Sequence, residues 1–116
     1  MRKSKYIQRS KEFSVQSAIL SQDHGTLAKV LRSNGKNSYN INFVFPTGGT
    51  ALHQAIIMGD YMSVQLLVQS GADIRMKTLS NISPTLLAPQ CESFEIAQYL
   101  LLSGGNVEDV ENGHQS

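Results

Sequence analysis

Gly49-Thr50-Ala51-Leu52-His53-Gln54-Ala55, followed by Leu66-Leu67-Val68-Gln69-Ser70-Gly71-Ala72-Asp73-Ile74, decides the fold class. Thr50 stands where a hydroxyl can accept a hydrogen bond from an amide left without a partner at a helix start. Leu52, Ala55 and Leu67 suit the inner face of a tightly packed helix pair. Gly59-Asp60 breaks the first helix, and Gly71 supplies the left-handed residue that ends the second. The unit is a tight turn, a short helix, a second helix and a glycine-ended exit.

The unit recurs. Shifted forward by 33 residues, Ala55 falls on Ala88, Leu67 on Leu100, Gly71 on Gly104, and Thr50-Ala51 on Ser83-Pro84. That period and the Thr50-Ala51-Leu52-His53 start resemble the ankyrin repeat, a helix pair preceded by a turn. The third copy departs at its front: Thr85 replaces the leucine, Leu86 the histidine, and Pro89 falls inside the expected first helix. A proline there removes an amide donor, so that helix is expected to be short or kinked, whereas Pro84 sits at a favourable first-turn position. Backwards, Ala18-Ile19 matches Ala55-Ile56 and Leu27-Ala28-Lys29-Val30 matches Val64-Gln65-Leu66-Leu67, at a spacing of 37 residues. The first finger, about 34–49, is thus longer by four. The expected fold is all-α: an ankyrin-repeat solenoid of three stacked helix-turn-helix repeats (12–42, 43–75, 76–107) with hairpin-like fingers and an irregular third repeat. A basic arm, 1–11, and an acidic, polar tail, 108–116, flank it.

Composition narrows the function classes. At 116 residues with a formal charge of +1, the chain is sized for one domain and carries no global signal for a polyanionic partner. One cysteine, Cys91, excludes an intramolecular disulfide and fits a reducing compartment. No apolar run suggests a membrane span, and the N-terminus lacks the apolar core of a signal peptide. The expectation is an intracellular protein, nuclear or cytoplasmic, with no membrane contact.

The central segment is similar to a smaller group. Asn40-Ile41-Asn42, Thr50-Ala51-Leu52-His53-Gln54, Leu66-Leu67-Val68 and Gly71-Ala72-Asp73-Ile74-Arg75 resemble the Notch-regulated ankyrin repeat protein family, as do the length and the long first finger. The third repeat and both tails depart from it. The resemblance implies a small non-enzymatic feedback attenuator of Notch signalling. Its partners would be the ankyrin domain of the Notch intracellular fragment and a CSL-type DNA-binding transcription factor, with DNA reached only through that complex. No cofactor and no small-molecule substrate are implied. The competing reading is a generic ankyrin adaptor or inhibitor of an unrelated protein such as a kinase or phosphatase. A third, a regulatory piece of a larger enzyme, is disfavoured by the initial Met1 and the polar C-terminal tail.

Three candidate partner-binding regions follow. Phe13, Val15, Ile19, Leu27 and Leu31 give the first repeat more apolar residues than one inner face needs, so an apolar end face is expected to dock onto another repeat array. Internal burial is the competing account. Ile57, Met58, Tyr61 and Met62 surround the helix break of the second repeat and make an adaptable contact patch. Arg2, Lys3, Lys5, Arg9 and Lys11 form an electrostatic arm, suited to an acidic protein surface or to phosphates and otherwise a solvated tail.

Catalytic and metal readings find no anchor. Thr50, Leu52, His53, Ala55, Gly59 and Gly71 are read as the structural repeat motif, with His53 hydrogen-bonding backbone in a neighbouring finger. No serine, cysteine or carboxylate stands at a spacing that builds a triad with it. His24, His53 and His114 are too scattered for a metal site. Gly48-Gly49 and Gly104-Gly105 lack the lysine of a phosphate loop. Cys91 is expected as a half-buried filler beside a helix break.

Overall fold

The structure is a computed structural model that describes residues 10–33 and 39–105. Among the described residues six helices follow one another as three pairs: α1 Ser10–Leu20 with α2 His24–Arg32, α3 Ala51–Ile57 with α4 Tyr61–Gln69, and α5 Pro84–Gln90 with α6 Phe94–Leu102. Helices α3 and α4 recur as α5 and α6 with every boundary displaced by 33, and α2 stands 37 residues before α4. The first helices pack α1 on α3 on α5, and the second helices α2 on α4 on α6. No strand is assigned among the described residues.

Each helix start has a local cause. Thr50 Oγ1 accepts from the His53 amide while His53 Nδ1 accepts from the Thr50 amide, so two otherwise orphaned donors are satisfied reciprocally. Ser83 caps α5 in the same place, accepting from the Leu86 amide at 3.1 Å, with Pro84 in the first turn. Asp23 and Asp60 cap α2 and α4, and each carboxylate also accepts from a hydroxyl three residues on, Thr26 and Ser63, at 2.7 Å. Ser93, the counterpart in the third repeat, makes no side-chain cap bond. Pro89 does not shorten its helix. α5 has the same seven residues as α3, because the proline lies in the last turn and deprives only one carbonyl of a partner amide.

The fingers are hairpin-like turns rather than strands. Phe45 N–H donates to Gly49 O at 2.9 Å and Gly48 N–H to Phe45 O at 2.8 Å; Thr78, Ile82 and Asn81 repeat both bonds. The residue that turns the finger has positive φ each time, 101° at Gly48 and 68° at Asn81. Leu79 N–H reaches back to Gly48 O at 2.9 Å and joins the two fingers.

One continuous core runs through the stack. Ile19, Leu27, Leu52, Ile56, Val64, Leu67 and Leu100 are almost wholly buried, each worth roughly 1.5–3 kcal/mol of apolar transfer. Rings of Phe13, Phe43 and Phe45 meet edge to face at centroid separations of 5.0–6.1 Å and fasten the first helix to the finger behind it. Polar bonds then fix the repeats to each other. His24 Nε2 lies 2.8 and 3.0 Å from the two Asp60 carboxylate oxygens, Asn42 Oδ1 accepts from Asp73 N–H, and Arg75 donates to Gly104 O.

Candidate protein-interaction surface

His53 organises the middle of the stack. It is 1 % exposed, its Nδ1 completes the cap of α3, and its Nε2 lies 3.0 Å from Ile82 O in the next finger. With Nδ1 accepting, Nε2 carries the proton and donates to that carbonyl. Burial pushes the imidazole pKa down, opposed by the Ile82 and Met76 carbonyls, so the ring is neutral at pH 7. A neutral, fully engaged histidine in a capping role is not placed for acid–base chemistry.

Above this ring lies a groove of about 310 Å³ between the second and third fingers. Its floor and walls come from Gly48, Gly49, His53, Gln54, Ile57, Thr78, Leu79 and Leu87, and among the described residues no charged group lines it. Ile57 is 59 % exposed and Leu79, at the tip of the third finger, 81 %. A second cleft, about 360 Å³, opens at the base between the helix breaks of repeats two and three, with Tyr61, Glu92, Phe94 and Glu95 around it. Tyr61 meets Tyr99 edge to face at 5.6 Å beside it.

The expected contact residues are redistributed. Val15, Ile19, Leu27 and Leu31 are 3, 0, 0 and 5 % exposed, so four of the five side chains assigned to an apolar end face lie in the core. The packing of α1 on α3 and α2 on α4 uses them up, and among the described large apolar side chains of the first repeat the exposed ones are Phe13 and Leu20. The break patch is divided. Ile57 lines the finger groove, Tyr61 lines the basal cleft, Met62 is exposed, and Met58 is half-buried against the core. Arg2, Lys3, Lys5 and Arg9 lie outside the described residues. Lys11 belongs to α1 rather than to an arm, and its ammonium donates to Ser33 O at 2.8 Å, at the C-terminal end of α2.

The motif residues have the expected places: Leu52 and Ala55 buried, Gly59 and Gly71 at positive φ. Cys91 is half-buried at the end of α5, and burial pushes its thiol pKa up. Among the described residues, no three His, Cys, Asp or Glu side chains come together in a way that could hold a metal ion. No described helix is long and apolar enough to cross a membrane. The sequence reading missed two features, Leu79 at a fingertip and the Asp60 carboxylate gripped by His24. An apolar residue inside a turn run was the available signal for the first.

A profile described as ankyrin repeats in three copies matches residues 15–111. The Notch-regulated ankyrin repeat-containing proteins of Xenopus tropicalis and Homo sapiens are each 34% identical over 86 residues, covering 74% of this chain and 75% of theirs. Protein phosphatase 1 regulatory subunit 27 of Mus musculus is 32% identical over 91 residues, covering 76% of this chain and 59% of that protein. The stacked helix pairs, the histidine-closed cap and this coverage agree: the chain belongs to the ankyrin-repeat family, with the Notch-regulated ankyrin repeat-containing proteins among its relatives.

Proposed function

We propose that this chain is a non-enzymatic, protein-binding regulator that attenuates Notch signalling. It engages the ankyrin domain of the Notch intracellular fragment together with a CSL-type DNA-binding factor, in the nucleus, and meets DNA only through that complex. The observation that carries a binding role is the uncharged groove between the second and third fingers, rimmed by exposed Ile57 and Leu79. Apolar side chains held in water on a rigid scaffold mark a contact surface. The likeness to proteins named Notch-regulated, across 74% of this chain and 75% of theirs, supports the choice of pathway. Extension of a partner's ankyrin stack would use Phe13 and Leu20 on the first repeat, since its other apolar residues are in the core.

Calorimetry against a purified Notch intracellular ankyrin domain, with and without the CSL-type factor on DNA, tests the reading. Binding that tightens when both are present supports it; no heat with either, from a protein folded by circular dichroism, removes it. One comparison favours a second reading. The similarity to a protein phosphatase 1 regulatory subunit fits an adaptor or inhibitor of a phosphatase, tested by the same titration with a protein phosphatase 1 catalytic subunit.

A further inference from the structure

Glu12, in the first turn of α1, is 3 % exposed. One carboxylate oxygen, Oε2, accepts from the Asn40 amide at 2.6 Å and latches the base of the long first finger to α1. The other, Oε1, is buried with no hydrogen-bond partner among the described residues. The crevice beside Glu12, between Val15, Tyr39, Ile41 and Phe45, has no room for a water molecule. The adjacent cation does not compensate it, because the Lys11 ammonium is turned to Ser33 O. The phenol of Tyr39 senses the charge: burial pushes its pKa up, and the Glu12 carboxylate pushes it further. A buried carboxylate with one open oxygen is costly, and such a group in a folded protein calls for an explanation.

We propose that Glu12 is a receptor for a cationic side chain, a lysine or arginine of a protein partner, that enters between α1 and the base of the first finger. A guanidinium or ammonium supplies both what Oε1 lacks and the opposite charge that a neutral donor would not bring. Entry requires the finger base to swing outward at Tyr39 and Asn40, whose side-chain and backbone ties to the helices are Tyr39 Oη to Leu31 O at 3.2 Å and the Asn40 amide to Glu12. The latch is therefore also the gate. This assignment is independent of the partner's identity and stands apart from the groove between the later fingers.

The test titrates N-acetyl-arginine amide into the isotope-labelled full chain and follows backbone amide shifts, with N-acetyl-citrulline amide as the neutral control of the same shape. Arginine is expected to move the amides of Val15, Asn40 and Ile41 and citrulline to leave them. Glu12→Gln, which keeps an acceptor for Asn40, is expected to weaken the arginine response at least tenfold while the urea midpoint holds or rises. Equal responses to the two probes overturn the proposal, as does an unchanged arginine response in Glu12→Gln. So does an ordered water on Oε1 in a protein indifferent to arginine. The arginine–citrulline comparison uses the unaltered chain, so it decides the question even where the variant fails to fold.

Discussion

The helix break of each repeat contains a left-handed residue, and only the second repeat puts glycine there. Gly59 has φ of 68°, while its counterparts Gln22 and Glu92 have 56° and 59°. An L-residue in that region carries a penalty of about 1–2 kcal/mol from the close approach of Cβ and the carbonyl. Glycine removes it but loses more chain entropy on folding, which takes back roughly 0.5–1 kcal/mol. Gln22 and Glu92 are both exposed, so no packing is lost on substitution. Glu92→Gly and Gln22→Gly are each expected to stabilise by about 0.5–1 kcal/mol, and to add, since they belong to different repeats. Gly59→Ala is the converse. Its added Cβ would meet no atom within 4 Å, so a loss of about 1 kcal/mol would be purely conformational. Urea unfolding followed by circular dichroism reads these as midpoint shifts at constant slope. A lower midpoint for Glu92→Gly, or no change in Gly59→Ala, would mean that the left-handed backbone carries no such penalty at these breaks.

Removing the His53 ring by His53→Ala opens the α3 cap and takes away one of the two donors to Ile82 O, the other being Thr78 N–H, so a loss of about 1–3 kcal/mol is expected in the same urea assay. Because burial lowers its folded pKa, His53 contributes stability that is full above the unfolded value of about 6.5 and is lost as pH falls through the folded value. The decline between pH 7.5 and 5.5 should therefore be shallower in a folded His53→Gln than in the unaltered chain. For Asp60, burial alone would raise the pKa, but the Ser63 hydroxyl and amide and the neighbouring His24 outweigh it, so the folded carboxyl lies below the ordinary range. Its contribution is full above about pH 3.9 and lost as pH falls through the lower folded value, so Asp60→Ala should cost about 1–2 kcal/mol at pH 7 and progressively less as the pH is taken below about 3.9, read from urea midpoints across that range. Ile57→Glu and Leu79→Glu alter exposed side chains of the finger groove and are expected to leave the urea midpoint in place while weakening calorimetric partner affinity at least tenfold; unchanged affinity in both removes the groove from the binding surface.

The repeat frame was legible because it is written in local chemistry. Thr50, Ser83, Asp23 and Asp60 mark helix starts, and Gly59, Gly71 and Gly104 mark turns that need positive φ. These signals act within four residues, so a 33-residue shift carried them onto the third copy despite its altered front. The effect of Pro89 was misjudged because its cost depends on position within the helix, and a seven-residue helix that ends one residue later has little left to break. The end face was misjudged for a different reason. Apolar spacing shows that Val15, Ile19, Leu27 and Leu31 face something, but not whether that neighbour belongs to the same chain. Contacts between His24 and Asp60, 36 residues apart, and Glu12 and Asn40, 28 apart, are created by stacking and have no local signature.

Those long-range contacts make the two repeat junctions chemically unlike. The first is tied by a histidine–carboxylate contact, with Asp60 buried and His24 half-exposed. The second is tied by the His53 bond to a finger carbonyl and by the Tyr61–Tyr99 ring pair. In a solenoid, stability is close to a sum of repeat and junction terms, so unlike junctions need not fail under the same condition. The Asp60 carboxylate at the first junction must keep its negative charge to hold, whereas the His53 Nε2–H donor at the second is present whether or not Nδ1 is protonated. As pH falls, protonation of His53 opens the cap of α3 inside the second repeat and leaves the Nε2–H bond to Ile82 O in place. The third repeat, which carries Leu79 and one wall of the groove, is therefore held by ties that need no negative charge. Binding that bridges the second and third fingers would restrain that junction, and a partner's grip on the groove should be strongest where the α3 cap beneath it, which needs a neutral His53, is closed.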